Sequence, residues 1–420
     1  MPIRVLVALL LVSEVAAAAP PIKAPIATVQ KQFYLKHPRP RTAAMAGVGY
    51  VGPGKELMEW RATQTKSDVL DDLQFRWSTD NGRTWSAFAR GAKSTHVDYQ
   101  GVAVWEGGIC RCYDPASGRL VELWLRQIEI AGVEHKFTYV RTSGDLGRTW
   151  SMPEQLRYEP GESFDARQPL RPSFLHRNQC FGGSAILVRH DGALVCPMAH
   201  ASAPHDADDQ KRVWKLGSLC FIGRWDKQRK AYRWAAGERV AISAETSARG
   251  LMEPDLAELR DRRLLVVWRG SDTRSTAGRK WFSISRDGGK TLSPVREWRY
   301  SDGSRFYSPS SCHRLIRHSV TGKLYWIGNI CGEPPKGNAP RYPLVIAEVD
   351  DASAAMKRET VTVIDDRSPA QSPAIQFSNF SLLENRETHH LELYLTTYGQ
   401  EANPRNWASA DNYKYTVTLR

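Results

Sequence analysis

Short apolar or alternating runs recur along the chain: Gly101–Trp105, Leu120–Ile130, Ala185–Leu187, Ala193–Pro197, Leu264–Trp268, Lys323–Gly328, Leu344–Glu348 and Leu391–Thr397. Turn-forming clusters separate them, among them Arg189-His190-Asp191-Gly192, Asp302-Gly303-Ser304 and Thr321-Gly322. Runs of this length, bounded by Gly, Asp and Ser, read as β-strands. No long segment carries a helical period, so the pattern predicts an all-β protein.

One turn signature repeats. Ser78-Thr79-Asp80-Asn81-Gly82-Arg83-Thr84-Trp85 and Ser143-Gly144-Asp145-Leu146-Gly147-Arg148-Thr149-Trp150 share Ser-x-Asp-x-Gly-x-Thr-Trp, and Ser285-Arg286-Asp287-Gly288-Gly289-Lys290-Thr291-Leu292 repeats it with Leu for Trp. Ser and Asp side chains can bond the turn backbone, Gly supplies positive φ, and Trp or Leu gives the next strand an apolar anchor. The first two copies start 65 residues apart and the second and third 142, about two such units. A fixed period with one hairpin signature per unit is the mark of stacked blades. The mature chain accommodates about six units of about 65 residues, which predicts a six-bladed β-propeller of four-stranded antiparallel blades. The boxes belong on peripheral hairpins with each Trp or Leu buried. The first strand of the mature chain and the segment Tyr413–Arg420 are expected to meet and close the ring.

The N-terminus reads separately. Arg4 precedes the apolar run Val5–Val12, and small residues Ala16–Ala19 follow. The run is too short to span a bilayer, so residues 1–19 read as a secretory signal and 20–420 as one propeller domain, secreted or periplasmic. No other segment is apolar for long enough to cross a membrane. Net charge is +13, which in an exported protein points to an acidic partner such as a uronic, sialylated or sulfated glycan. No Lys/Arg-rich helix or nucleic-acid module appears, so nucleic acid is not the expected partner. The seven cysteines are an odd number. Export permits disulfides, Cys312 and Cys331 flank a hairpin and could be bridged, and at least one thiol must stay free or pair between chains.

The repeats resemble the Asp-box (BNR) repeats of the sialidase superfamily, whose fold is a six-bladed β-propeller. The resemblance covers the whole mature chain. Glu253-Pro254-Asp255-Leu256-Ala257-Glu258-Leu259, continuing to Leu264-Leu265-Val266-Val267-Trp268-Arg269, is similar to the family's pattern of a Glu opening one strand and an Arg ending the next. The resemblance implies that Glu253 is the base and that Arg269 is part of a clamp on the substrate carboxylate. An Arg fork suits a planar carboxylate because it makes two charge-assisted bonds. By order along the chain, Arg41 and Arg341 resemble the other clamp members, although the Ile-Pro that follows the first family arginine is absent after Arg41. Asp68 resembles the acid/base carboxylate, with Asp71 and Asp72 competing for that role. No cofactor or metal is implied.

The late segment Gln376-Phe377-Ser378-Asn379-Phe380-Ser381-Leu382-Leu383-Glu384 resembles the strand carrying the family's nucleophilic Tyr, with Phe377 at that position and pointing into the cleft. Phe has no hydroxyl, so a tyrosyl intermediate there is ruled out for this alignment; Tyr307, Tyr342 or Tyr398 would have to approach instead. His176, His200 and His205 lie near Cys180 and Cys196, and a His–Tyr pair such as His200 with a tyrosine would suit a lyase on uronic glycans. The sequence therefore predicts a glycoside hydrolase acting next to an acidic sugar, with a polysaccharide lyase or a non-catalytic glycan-binding propeller as alternatives.

Overall fold

The computed structural model describes residues 25–420 except 100, 131–132, 166, 169–170, 172–176, 184 and 201–216. The leader expected at residues 1–19, the polar stretch from Ala201 to Gln210, and His176 and His205 lie outside the described residues. Six antiparallel sheets follow one another as blades I to VI of a β-propeller. From axis to rim, blade I consists of Ala43–Tyr50, Leu57–Lys66, Val69–Ser78 and Ala89–Arg90. Blade II is built from Val102–Asp114, Arg119–Ile130, Val133–Ser143 and Glu154–Gln155, with His96–Tyr99 added at its inner edge. Blade III has Cys180–Gly182, Leu194–His200, Gly217–Asp226 and Ala231–Ala236, and Leu187–Val188 also pairs with its second strand. Blade IV contains Met252–Glu258, Leu264–Arg269, Lys280–Ser285 and Arg296–Glu297. Blade V comprises Arg314–Arg317, Leu324–Asn329, Leu344–Val349 and Thr362–Asp365.

Blade VI closes the ring. Its strands Ser381–Glu384, Leu391–Thr396 and Asn412–Leu419 are completed at the rim by the N-terminal strand Ala27–Leu35, which runs antiparallel to the last one from Ala27↔Leu419 to Leu35↔Asn412. Joining the two ends of the chain in one sheet leaves no blade unpaired at the closure.

The core is a set of interfaces between blades rather than one centre. Leu265 and Val267 of blade IV pack on Leu324, Trp326, Val345 and Ala347 of blade V, and blade V packs in turn on Leu391, Leu393 and Leu395 of blade VI. A middle strand is covered on both faces, which is why Leu264–Arg269, Leu324–Asn329 and Leu391–Thr396 are buried at every position instead of alternating.

The three Asp-boxes occupy the turn between third and fourth strands of blades I, II and IV and share one hydrogen-bond pattern. The backbone N–H of Gly82, Gly147 and Gly289 donates to Ser78, Ser143 and Ser285 Oγ at 2.8 Å in each case. The Asp carboxylate accepts from the backbone and hydroxyl of Thr84, Thr149 or Thr291. The terminal Trp or Leu is half-buried, not fully buried as expected, because it sits at the edge of the contact with the preceding blade: Trp85 against blade VI, Trp150 against blade I and Leu292 against blade III. All seven cysteines are free thiols, so the expected bridge between Cys312 and Cys331 is absent. Among the described residues no helix is long and apolar enough to cross a membrane.

Candidate active site

In every blade the first strand begins, and the second ends, at the same end of the ring. Each sequence-predicted site residue falls on that end. Glu253 lies in the first strand of blade IV and Arg269 ends the second. Arg341 precedes the third strand of blade V, Asp68 sits in the turn between the second and third strands of blade I, and Arg41 precedes that blade's first strand. His200 ends the second strand of blade III; its side chain lies outside the described residues. The Asp-boxes lie at the rim of the opposite end.

Glu253 and Arg269 meet in an ion pair through Glu253 Oε2 and Arg269 Nη1. Antiparallel pairing across one hairpin puts Met252 opposite Arg269, and a bulge between Met252 and Asp255 turns Glu253 toward it. Glu253 has φ +36°, a region a non-Gly residue adopts at a cost of order 1–3 kcal/mol. Blade III accommodates the bulge: a Cβ at Gly183 would stand 1.5 Å from the Pro254 carbonyl oxygen, so only glycine permits that approach.

Several partners were not foreseen from the sequence. Arg269 Nε donates to Ser310 Oγ at 2.9 Å and Nη2 to Asn338 Oδ1 at 3.2 Å. Arg249 Nη1 donates to the same Asn338 oxygen at 3.0 Å, and Arg341 Nε to the Asn338 carbonyl at 3.1 Å. Asn338 is thus the hub of three guanidinium groups, of which the sequence singled out Arg269 and Arg341 and missed Arg249. Arg41 is exposed, its backbone N–H held by Ser409, and no described residue partners its guanidinium. Cys312 Sγ donates to Glu253 Oε2 at 2.8 Å.

Burial would push the Glu253 carboxyl up, but Arg269 beside it, with the Cys312 and Arg269 hydrogen bonds, holds it down at about 2. Glu253 is therefore ionised across the physiological range. Burial, followed by repulsion from Arg269, lowers Arg341, and the same two causes in the same order lower Arg249. The three arginines repel one another. Lys136 adds further positive charge near Glu253 and lies over the Phe181 ring at 4.5 Å.

The charge of Asp68, an exposed residue, acts on Arg341 and Tyr398. Asp71 bridges Ser94 in the sheet, and Asp72 lies on the same strand of blade I. The expectation that Phe377 points into the cleft is wrong. Phe377 is fully buried in the core between blades V and VI with Ile327, Leu344 and Leu393. The strand phase is shifted by one residue, and Gln376 faces inward, accepting from Arg341 Nη1 at 2.8 Å. Of the candidate tyrosines, Tyr398 pairs with Gln376, donates to Gln64 and stacks on Trp407. Tyr307 pairs with Cys331, and Tyr342 packs against the core between blades V and VI. No described tyrosine hydrogen-bonds Glu253, whose partners are Arg269 and Cys312. A cavity of about 750 Å³ is lined by Cys312, Phe380, Glu384, Arg386 and His389, and none of Glu253, Arg249, Arg269 and Arg341 lines it. Among the described residues no group of His, Cys, Asp and Glu could hold a metal ion.

Comparison with known proteins agrees with this architecture. The structure is similar to a protein of unknown function from Dyadobacter fermentans, with a TM-score of 0.60, 14% identity and coverage of 93% of this chain and 99% of that one. It is similar to a mutant of the NanB sialidase from Streptococcus pneumoniae, with a TM-score of 0.59, 12% identity and coverage of 92% and 70%. An α-L-arabinanase from Penicillium chrysogenum gives a TM-score of 0.53, 14% identity and coverage of 94% and 99%. At these identities the likeness is one of fold, and the fold carries more than one sugar chemistry. No curated protein matches the sequence. The model of the BNR repeat-like domain matches residues 54–389, most of the chain, and the protein belongs to that family.

Proposed function

We propose that the protein is a glycoside hydrolase acting on glycans that carry an acidic sugar. The observation that carries this reading is the group of mutually repelling arginines, Arg249, Arg269 and Arg341, gathered on Asn338 beside Glu253. An incoming carboxylate relieves that repulsion and accepts charge-assisted bonds in a partly desolvated site.

Arg269 would then divide its donors between Glu253 and the substrate. Loosening its hold on Glu253 removes the influence that keeps this carboxyl at about 2, so substrate binding itself raises Glu253 toward the range of a useful base. Glu253 takes the proton of an attacking water, the glycosidic C–O bond breaks, and the leaving oxygen takes its proton from Asp68. Direct attack by water fits a cleft in which Glu253 contacts Arg269 and Cys312 rather than a tyrosine. Arg41, exposed just before the innermost strand of blade I, would meet more distant parts of the glycan.

The test is a panel of sialosides and uronides, assayed for reducing sugar and for near-ultraviolet absorbance. Hydrolysis that Glu253→Gln abolishes supports the reading. An unsaturated product would instead mean elimination, and binding without turnover across the panel would make the protein a lectin-like propeller. A covalent adduct on any tyrosine, trapped with a fluorinated sialosyl substrate, would contradict direct water attack.

A further inference from the structure

Lys280 opens the third strand of blade IV directly across from Arg269 and is fully buried. Among the described residues no carboxylate lies within ion-pairing distance of it. Its ammonium donates instead to two main-chain carbonyls, Ser311 at 2.6 Å and Pro309 at 3.3 Å. An ammonium held from water, facing a guanidinium and satisfied only by neutral oxygens, is expensive, and an apolar side chain would fill the place at less cost. The position therefore calls for a reason, and its two partners supply one. They belong to the segment 309–312, which also supplies Ser310 to Arg269 at 2.9 Å and Cys312 to Glu253 at 2.8 Å.

We propose that Lys280 is a positioning residue for the cleft: its ammonium ties the carbonyls of Pro309 and Ser311 and so fixes Ser310 against Arg269 and Cys312 against Glu253. The consequence for turnover rests on the glycosidase reading; the positioning does not. The tie is strongest with the charge, because the neutral amine keeps two N–H donors but loses the charge assistance of their bonds. Arg269 on the neighbouring strand, Glu253 and Cys312 beyond it, and Cys331 and His313 from blade V all bear on the Lys280 ammonium. Burial first, then repulsion from Arg269, pushes Lys280 down to about 7. The ammonium is present below that pH and lost above it. The folded value lies below the unfolded value of 10.5, so the unfolded chain binds more protons between the two and stability rises with pH there. The hold on residues 309–312 relaxes over the same rise. A lysine that served only stability would not drive the two in opposite directions.

Iodoacetamide labelling of Cys312 in the full protein tests this, read by peptide mass mapping and normalised at each pH to the labelling of free N-acetylcysteine. From about pH 6 to about pH 9, either side of the Lys280 transition, the normalised rate should rise about tenfold while thermal stability does not fall. In Lys280→Met the rate should be high at both ends and independent of pH. A flat normalised rate in the wild-type protein overturns the proposal even if Lys280→Met fails to fold. So does a folded Lys280→Met that labels like the wild type. Labelling that behaves as expected in a protein that hydrolyses no acidic glycan sinks the glycosidase reading and leaves the positioning of the segment intact.

Discussion

The Asp-box turns and the cleft both build on a carboxylate, but they recruit its partners from different distances. Asp80, Asp145 and Asp287 each bond a Ser two residues back and a Thr four residues on. Glu253 takes its partners from Arg269 and Cys312, sixteen and 59 residues away. The box carboxylates remain solvated, and their bonds define a local turn that three blades reuse. The Glu253 carboxylate is partly desolvated and acts within a cluster that exists only once blades IV and V have docked. The boxes also stabilise docking: Trp77 Nε1 of blade I donates to the Leu146 carbonyl inside the box of blade II at 2.8 Å. Arg76 and Arg141 lie over the box residues Trp85 and Trp150 at 4.8 Å and 4.6 Å, each paired with a buried glutamate, Glu59 or Glu122. On this comparison, damage to a box should cost stability, and damage to the cleft should cost chemistry.

The largest separation is expected from Glu253→Gln. The amide keeps the shape and a hydrogen bond to Arg269 but has no charge and cannot take a proton, so turnover should fall by about 10²–10⁴. The same variant tests the ion pair through pH. A carboxyl whose folded value lies below its unfolded value contributes stability above the unfolded value and loses it as pH falls through the folded one. The stability gap between wild type and Glu253→Gln should therefore close as pH falls from 4.5 to about 2; a gap that stays constant in acid titrations would show that Arg269 does not set the Glu253 charge. Asn338→Ala removes the acceptor shared by Arg249 and Arg269. Freed arginines should weaken the binding of an acidic sugar roughly ten- to a hundred-fold, the scale of a hydrogen bond to a charged group, with little change in Tm. At the periphery Asp287→Ala removes the bonds to Ser285 and Thr291. About 1 kcal/mol of stability should be lost, seen by denaturant unfolding, while kcat and KM hold. Loss of activity in folded Asp287→Ala would break the division between the two regions.

What could be read from the sequence follows the same division. Box chemistry is complete within eight residues, so the turns, the blade number and the ring closure were all legible. Glu253 and Arg269 were legible as a pair because they share one hairpin. Arg249, Ser310, Cys312 and Asn338 were not, since they lie in loops that only the docking of neighbouring blades brings together. Nothing local marks Lys280, at a strand start, as buried. Phe377 failed for a simpler reason. Side chains in a strand alternate, so an alignment off by one residue exchanges core for cleft, and Gln376 holds the inward position.

On the proposed function, the arginine cluster receives a substrate carboxylate and Arg269 shares its donors between that carboxylate and Glu253. Calorimetric titration with one acidic glycan, as the free acid and as its methyl ester, tests this directly. The acid should bind about a hundredfold more tightly, the scale of a charge-assisted pair lost on esterification, and the difference should collapse in Arg269→Met. Equal affinity for acid and ester, or a preference that survives Arg269→Met, would contradict it.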